Sequence, residues 1–180
     1  MKLKKKIIKK KYKIAFLDRD GVLNKNLNGG YIGEIKNFRW ISGAKKTIQF
    51  LNKQQYKVIV VTNQSGIARG YFKKKDVFIL HKFMKNELSK IGAKIDKFCI
   101  CPHHIDGKIK EFKKKCSCRK PGNKHFRDIN KLWRVDKKKS FMIGDQITDI
   151  EFANKSGIKC YYFNKKNLFH FMKEKITDGI

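Results

Sequence analysis

Short apolar runs alternate with longer amphipathic segments along this chain. The apolar runs are nearly continuous stretches of Ile, Val, Leu and Phe, which is typical of strands buried on both faces. They predict a strand ending at Leu17 and further strands over 57–62, 95–101, 139–144 and 158–163. Apolar residues at helical spacing predict helices over 44–55, 76–90, 123–133, 147–156 and the last dozen residues. This alternation predicts an α/β fold, with a Rossmann-like parallel sheet covered by helices on both faces.

The remaining segments indicate how the chain is organised. Ser42 is the expected N-cap of the helix that begins at Ala44, and 102–121 form a long irregular excursion. Residues 1–180 contain no repeats or flexible linkers, so we expect one domain, with a basic, mobile N-terminal segment over 1–12. The segment between Asp20 and Thr62 is too short for a large cap domain, so we expect any site at the ends of the strands to be open to solvent.

Two carboxylates follow the first predicted strand. Asp18 and Asp20 are separated by one residue, and Gly21 permits a sharp turn after them. Ligands of open α/β sheets bind beyond the carboxyl ends of the strands. The pair can hold one hard cation and still offer an oxygen for attack on a substrate.

Two other strands also end in polar residues. Thr62 and Asn63 follow the second strand, and their neutral hydrogen-bond donors suit phosphoryl oxygens. Asp145 follows the strand over 139–144, and Asp149 lies four residues further on. The cations Arg119 and Lys120 lie between these two strands in the sequence. The sequence therefore predicts an acidic, cation-containing site at one edge of the sheet.

The cysteines suggest a second metal. Twelve residues separate Cys101-Pro-His103 from Cys116-x-Cys118, a spacing that suits three thiolates and one imidazole around structural Zn²⁺. Such a site would hold the excursion over 102–118, which has few apolar residues. We expect reduced thiols rather than disulfides, and core packing for Cys99 and Cys160.

The formal net charge of +30 would by itself suggest a nucleic-acid binder. However, lysine outnumbers arginine by 39 to 6, and the lysines are scattered along the chain. Nucleic-acid readers favour arginine because its fork binds two acceptors at once. We therefore interpret the lysines as solvated surface whose field attracts a phosphorylated small molecule, and we expect no specific nucleic-acid partner.

Hydropathy indicates no membrane partner. The apolar runs are far shorter than the roughly 20 residues of a membrane span. The basic segment Lys2–Lys11 lacks the apolar centre of a secretory signal. We expect a cytoplasmic monomer.

The ordered motifs Asp18-x-Asp20, Thr62-Asn63, Lys120 and Gly144-Asp145-x-x-x-Asp149 resemble the haloacid dehalogenase-like phosphohydrolase superfamily. The loop over 62–72 and the Cys/His spacing resemble its D-glycero-D-manno-heptose-1,7-bisphosphate 7-phosphatase family. The resemblance implies a Mg²⁺-dependent phosphatase that removes the 7-phosphate of that sugar through an aspartyl-phosphate, in nucleotide-heptose and lipopolysaccharide core synthesis.

The resemblance also implies residue roles. Asp18 is the nucleophile and Asp20 the general acid and base. Mg²⁺ is held by Asp18, the backbone carbonyl of Asp20 and Asp145, and Asp149 orients Lys120 or the water around the metal. Thr62 and Lys120 hold the phosphoryl oxygens, and Arg119 contacts the far end of the substrate. The other implied substrate contacts are Asn28, Gly29, Gly30, Tyr31, Asn63, Gln64, Ser65 and Gln146.

Three alternatives differ in class or substrate. A histidinol-phosphate phosphatase shares the zinc pattern but has a shorter gap between the His and the second Cys pair. A nucleic-acid-binding or 3′-end-processing protein would require basic clusters interleaved with aromatic residues, and the sequence shows no convincing one. An inactive zinc-stabilised binding module would require a broken aspartate pair, whereas Asp18 and Asp20 are both present.

Overall fold

The structure is a computed structural model that describes residues 10–27 and 30–177. These residues form five strands and six α-helices, which largely alternate, together with a short 3-10 helix at Ile35–Asn37. The strands are β1 (Ile14–Leu17), β2 (Lys57–Asn63), β3 (Lys97–Cys101), β4 (Phe141–Gly144) and β5 (Lys159–Tyr162). The helices are α1 (Ala44–Lys53), α2 (Ser65–Arg69), α3 (Lys74–Ser89), α4 (Lys124–Trp133), α5 (Ile147–Ser156) and α6 (Leu168–Thr177).

All five strands form one parallel sheet in the order β3-β2-β1-β4-β5. β2 and β3 lie on one side of β1, and β4 and β5 lie on the other. The strand order therefore reverses at β1, which is the topological switch point of the sheet. Ligands of such sheets bind in the crevice beyond the carboxyl ends of the strands at this point. Asp18 follows β1 directly and Asp145 follows β4, which pairs with β1.

Helices cover both faces of the sheet, as predicted. One face of β1 presents Ala15 and Leu17 to a core shared with α1, α3 and α6. The opposite face presents Ile14 and Phe16 to a second core shared with α4 and α5. β1 is fully buried, which explains its unbroken apolar sequence.

The start of α1 differs from the prediction. Gly43, not Ser42, is the N-cap residue, with a left-handed φ of 78°, and α1 begins without a side-chain cap. The Ser42 hydroxyl instead accepts a hydrogen bond from Asn167 at 3.1 Å. Thr47 donates its hydroxyl to the Gly43 carbonyl at 2.9 Å. The prediction was wrong because a neighbouring glycine can adopt the left-handed turn that this helix start requires.

The segment after β2 is more ordered than the predicted loop, because α2 occupies its centre. The excursion over 102–121 is irregular, as expected, and rests on α2. The backbone N–H groups of Lys108 and Ile109 both donate to the Ala68 carbonyl, at 2.7 and 2.9 Å. This docking fixes the excursion beside the carboxyl edge of the sheet. Among the described residues, no second sheet or large cap covers that edge.

Most of the predicted N-terminal segment, residues 1–9, lies outside the described residues. Tyr12 belongs to the described part and pairs with the turn after α4, where it donates to the Arg134 carbonyl at 3.0 Å and accepts from Asp136 at 2.8 Å. The mobility of 1–12 stays a prediction. In the described part of the chain, no helix has the length and apolar character needed to cross a bilayer.

Candidate active site

A buried lysine bridges two buried carboxylates at the carboxyl ends of β1 and β4. Lys120 Nζ lies 2.8 Å from Asp18 Oδ1 and 2.6 Å from Asp149 Oδ1. The three side chains are at most 9% exposed, so water screens their charges weakly. Lys120 comes from the excursion and Asp149 from the first turn of α5, so the group assembles only in the folded chain.

Attraction between Lys120 and the two carboxylates opposes the effect of burial on the pKa values of Asp18 and Lys120. Burial raises the pKa of Asp18 to about 7, although the nearby Lys120 opposes the shift. Burial alone would lower the pKa of Lys120, but Asp18 and Asp149 outweigh it, so that pKa is raised. Lys120 is therefore a permanent cation, whereas full ionisation of Asp18 at neutral pH calls for further positive charge nearby.

Asp20 is held by three neighbouring side chains. Arg19 donates from Nη2 to both carboxylate oxygens, at 2.9 and 3.0 Å, and from Nε to Oδ1 at 3.2 Å. Asn24 donates to Oδ1 at 2.9 Å, and Gln64 donates to Oδ2 at 2.6 Å. The Asp20 side chain remains 27% exposed on the wall of a cavity. Its direction is fixed while it keeps access to a ligand.

The polar residues at the end of β2 contact Asp20 and the backbone of Lys120. Gln64 Nε2 donates to the Thr62 hydroxyl at 2.8 Å as well as to Asp20, so it links these two side chains. The Asn63 amide accepts the Lys120 backbone N–H at 3.0 Å and donates to the Lys120 carbonyl at 3.1 Å. Asn63 thus clamps the excursion to β2 and holds Lys120 in position.

Gly21 lets the chain after β1 pass close to Asp145. Its φ is +87°, and a Cβ built there would overlap the Asp145 carboxylate. Asp145 Oδ2 accepts hydrogen bonds from Asn26 at 3.3 Å and from Gln146 at 3.0 Å. Any larger residue at position 21 would displace this carboxylate.

A cavity of about 370 Å³ opens over these groups. It brings together most of the predicted residues, namely Asp18, Asp20, Gly30, Tyr31, Thr62, Asn63, Gln64, Arg119, Lys120 and Gln146. Ser65 does not line it; it is the buried first residue of α2. Asn28 and Gly29 lie outside the described residues.

Four lining residues were not identified from the sequence: Asn26, Leu27, Ile32 and Thr148. Asn26 contacts Asp145, and Thr148 lies in the first turn of α5. Asn26, Leu27 and Ile32 lie in a loop and Thr148 at a helix start, where periodicity carries no signal, so only the identity of the flanking motifs could have suggested them. Arg119 lies on the wall beside Lys120, and its Nη1 donates to the His103 carbonyl at 3.4 Å.

The carboxylates of Asp18, Asp145 and Asp149 could hold a hard cation. Each offers an oxygen, and these oxygens lie within 4.8 Å of one another. Asp145 Oδ1 is buried and has no hydrogen-bond partner among the described residues. Burial also raises the pKa of Asp145, so its ionised form calls for a cation. Oxygen ligands of this kind suit Mg²⁺.

The four predicted zinc ligands also come together. Sγ atoms of Cys101, Cys116 and Cys118 lie 3.3–3.5 Å apart, and His103 Nδ1 lies 3.4 Å from Cys118 and 3.8 Å from Cys101. With zinc–sulfur bonds of about 2.3 Å, the sulfur atoms of a tetrahedral site are about 3.8 Å apart. All four residues therefore surround one point at close to the separation that zinc requires.

The electrostatics of this cluster favour thiolate. The contact with Cys101 lowers the pKa of Cys118 to about 4, whereas contact with Cys118 and burial raise the pKa of Cys101. The lowered pKa favours the thiolate of Cys118, and a bound cation would favour the others. Cys99 belongs to the core shared with α4 and α5, and Cys160 packs against that core.

Comparison with known proteins agrees with this geometry. The HAD-hydrolase-like family model matches residues 117–163, which include Lys120, Asp145 and Asp149. A solved structure of D,D-heptose 1,7-bisphosphate phosphatase from B. bronchiseptica, complexed with magnesium and phosphate, superposes with a TM-score of 0.77. It is 28% identical, over 90% of this chain and 86% of that chain.

Curated relatives are more similar in sequence. D-glycero-beta-D-manno-heptose-1,7-bisphosphate 7-phosphatase of Rhodopseudomonas palustris is 42% identical over 91% of this chain and 90% of its own length. The corresponding alpha-named phosphatase of Photorhabdus laumondii is 38% identical over 84% and 82%. Identity at this level over nearly the whole chain, together with the assembled site, shows that the chain belongs to the haloacid dehalogenase-like family of D-glycero-D-manno-heptose-1,7-bisphosphate 7-phosphatases.

Proposed function

We propose that this protein removes the 7-phosphate of D-glycero-D-manno-heptose 1,7-bisphosphate, in the synthesis of nucleotide-activated heptose for lipopolysaccharide. The observation that carries the proposal is the buried Asp18–Lys120–Asp149 group, with Asp20 beside it on the cavity wall. A carboxylate nucleophile next to a fixed cation is the arrangement that phosphoryl transfer needs. The relatives named above carry this activity in their names.

In the proposed reaction, Asp18 attacks phosphorus and forms an aspartyl-phosphate while the sugar oxygen leaves. The ion pair with Lys120 and the backbone N–H of Arg19 both engage Asp18 Oδ1, which supports Oδ2 as the attacking atom. Asp20 donates a proton to the leaving oxygen and then accepts one from the water that hydrolyses the intermediate. Lys120 and Thr62 contact the phosphoryl oxygens, where negative charge develops.

Mg²⁺ fits the acidic group beside this reaction. Asp18, the backbone carbonyl of Asp20 and Asp145 would hold it, and the unpaired Asp145 Oδ1 supports this assignment. The ion supplies positive charge that favours ionised Asp18 and neutralises phosphoryl oxygens. Asp149 is placed to hold Lys120, because its carboxylate makes the 2.6 Å ion pair with that ammonium.

We also propose a structural zinc ion bound by Cys101, His103, Cys116 and Cys118. Four protein ligands close a tetrahedral site and leave no position for substrate. Arg119 and Lys120 follow Cys118 directly, so the zinc would rigidify the segment that carries both cations into the cavity. Thiolate ligands require reduced cysteines, so the proposed zinc site supports a cytoplasmic site of action. We retain the monomer as the proposed state.

A substrate panel with Mg²⁺ tests the function. We expect the highest kcat/KM for the heptose 1,7-bisphosphate, offered as both anomers, and little turnover of histidinol phosphate. Phosphorus NMR of the product should show a retained anomeric phosphate, because the 7-phosphate is the one removed. Faster turnover of histidinol phosphate, or loss of the anomeric phosphate first, would contradict the assignment.

Arg119 should distinguish bisphosphates from monophosphates. Its guanidinium lies on the cavity wall and can bind a second anionic group through two parallel hydrogen bonds. We expect Arg119→Ala to lower kcat/KM for the bisphosphate about 5–150-fold more than for a monophosphate of the same sugar, at fixed ionic strength. Arg119→Lys, as the matched control, should recover only part of this difference. Equal losses on both substrates would place Arg119 at the reacting phosphate.

A nucleic-acid function is not supported by the folded surface. Folding does place lysines over aromatic rings, and two of the three rings named next come from distant parts of the sequence. Lys13 lies 4.6 Å from the Tyr56 ring centroid, Lys57 4.9 Å from Trp133 and Lys159 4.8 Å from Tyr161. In each of these contacts a lysine already occupies one face of a ring on which a base could stack. We therefore propose no specific nucleic-acid partner.

A further inference from the structure

Arg19, between the two aspartates of the first motif, is fully buried. Its guanidinium binds both oxygens of Asp20 and also donates from Nη2 to the Ile32 carbonyl. A planar fork that meets a carboxylate on two oxygens fixes the plane of that carboxylate as well as its position. The direction in which Asp20 faces the cavity therefore depends on where Arg19 is held.

His81 contacts the other side of this guanidinium. His81 Nε2, on α3, lies 3.3 Å from Arg19 Nη1, and the imidazole stacks on Phe98 of β3 with ring centroids 4.0 Å apart and planes at 17°. The histidine is 4% exposed. Because a guanidinium can only donate, Nε2 must accept, and the ring proton must lie on Nδ1.

The chemistry of His81 is unusual for a residue that only fills the core. Its Nδ1 is buried and finds no hydrogen-bond partner in the part of the chain that the structure describes. Burying an unpaired donor is unfavourable, so an apolar ring would pack here at less cost. Burial, with Arg19 and Lys85 nearby, lowers the pKa of His81 to about 2. The imidazole is therefore neutral at the near-neutral pH of an activity assay, and its Nε2 can accept a hydrogen bond.

We infer that His81 is a positioning residue for catalysis, which holds the Arg19 guanidinium so that Asp20 faces the oxygen of the leaving group. The chain of contacts is Phe98, His81, Arg19 and Asp20. This inference rests on the proposed function, in which Asp20 supplies a proton to the departing oxygen. It assigns a role to a histidine that shows no motif in the sequence.

The nature of the leaving group separates this role from simple core packing. A sugar alkoxide is a poor leaving group and needs a proton from Asp20 as the bond to phosphorus breaks. A nitrophenolate is a stable anion and leaves without one. For both substrates kcat/KM reports the steps through the first leaving-group departure. Misdirection of Asp20 should therefore harm the alkyl phosphate selectively, whereas general distortion of the site should harm both.

The test compares His81→Phe with His81→Gln. Phenylalanine retains a flat ring for Phe98 but removes the acceptor, whereas glutamine offers an amide oxygen near the position of Nε2. For His81→Phe we expect kcat/KM to fall at least ~10-fold for the sugar phosphate and less than ~3-fold for p-nitrophenyl phosphate. His81→Gln should restore most of the loss. The exposed His170→Phe is the control and should leave both values unchanged.

Arg19→Lys provides a second variant if His81→Phe does not fold, because it keeps the charge and removes the fork. It should show the same selective loss on the alkyl phosphate. Equal losses on alkyl and aryl substrates in the folded variants, or no recovery with glutamine, would overturn the inference. The ratio can be measured with any alkyl phosphate that the wild type cleaves. Failure to cleave the heptose bisphosphate would therefore count against the proposed function and not against His81.

Discussion

Asp18→Asn is expected to abolish turnover, with kcat lowered by at least about 10⁴-fold. An amide is too weak a nucleophile to form the phosphorylated intermediate, and the Asp18 carboxylate is the group that Lys120 holds at 2.8 Å. The measurement is phosphate release from the heptose bisphosphate at saturating Mg²⁺. Phosphate release within ~10-fold of the wild type would exclude Asp18 as the nucleophile.

The same substitution should stabilise the metal-free protein at neutral and alkaline pH. Burial raises the pKa of Asp18 from 3.8 to about 7, so the folded state holds this proton more tightly than the unfolded state does. Near pH 3 Asp18 is protonated in both the folded and the unfolded state, so its raised pKa costs no folding free energy. As pH rises toward 7 the unfolded state ionises first, so folding loses stability, by up to about 4 kcal/mol above pH 7.

Asparagine removes this penalty, so Asp18→Asn should raise Tm above pH 7 without Mg²⁺ and have little effect near pH 4. Bound Mg²⁺ favours the carboxylate, so saturating Mg²⁺ should shrink or reverse the difference. Thermal unfolding with and without Mg²⁺ at both pH values measures this. A fall in Tm at pH 8 without Mg²⁺ would show that the Lys120 ion pair outweighs the burial of Asp18.

Cys116→Ser should remove zinc and stability together. The excursion over 102–121 has no helix or strand, and the Cys/His cluster is the main candidate for holding its shape. Because zinc binding in such a segment is coupled to its folding, its loss should cost about 3–5 kcal/mol, or roughly 6–20 °C in Tm. Zinc content by elemental analysis after dialysis and Tm by calorimetry provide the two readouts. Activity should fall as well, because Lys120 is four residues away.

Cys99→Ser is the matched control. Cys99 is buried in the core shared with α4 and α5, outside the cluster, so this variant should retain one zinc per chain despite some loss of packing. Cys101→Ser should behave like Cys116→Ser. The opposite outcome, in which Cys99→Ser loses zinc and Cys101→Ser retains it, would show that the ligand set is wrong.

The fold class and the acidic edge of the site could be predicted from local sequence. β1 is buried on both faces, so its residues must be continuously apolar, and the first polar residue after it must lie at the sheet edge. That rule located Asp18 and Asp145 without any knowledge of their contacts. The four residues proposed to bind zinc were equally accessible, because they lie close together in the sequence, at the end of β3 and in the irregular segment that follows it.

Other local predictions were incomplete. Ser42 is a good N-cap residue by composition, but the left-handed Gly43 begins α1. The segment after β2 was interpreted as a loop, yet Ala68 in α2 carries the backbone contacts that hold the excursion. Helix caps and short helices depend on how the chain packs against neighbouring elements. The periodicity of the sequence gives no information about that packing.

By itself, the sequence determined the order of the strands and of the described α-helices other than α2, the positions of the strand-end carboxylates and the four residues suited to zinc. Only the tertiary structure decided that Asn63 clamps Lys120, 57 residues away, and that His81 meets Arg19, 62 residues away. The physical reason is that burial requires apolar residues at regular positions within each strand or helix, and this pattern is visible in the sequence. In contrast, a hydrogen bond between distant side chains depends on the packing of whole elements and leaves no local pattern.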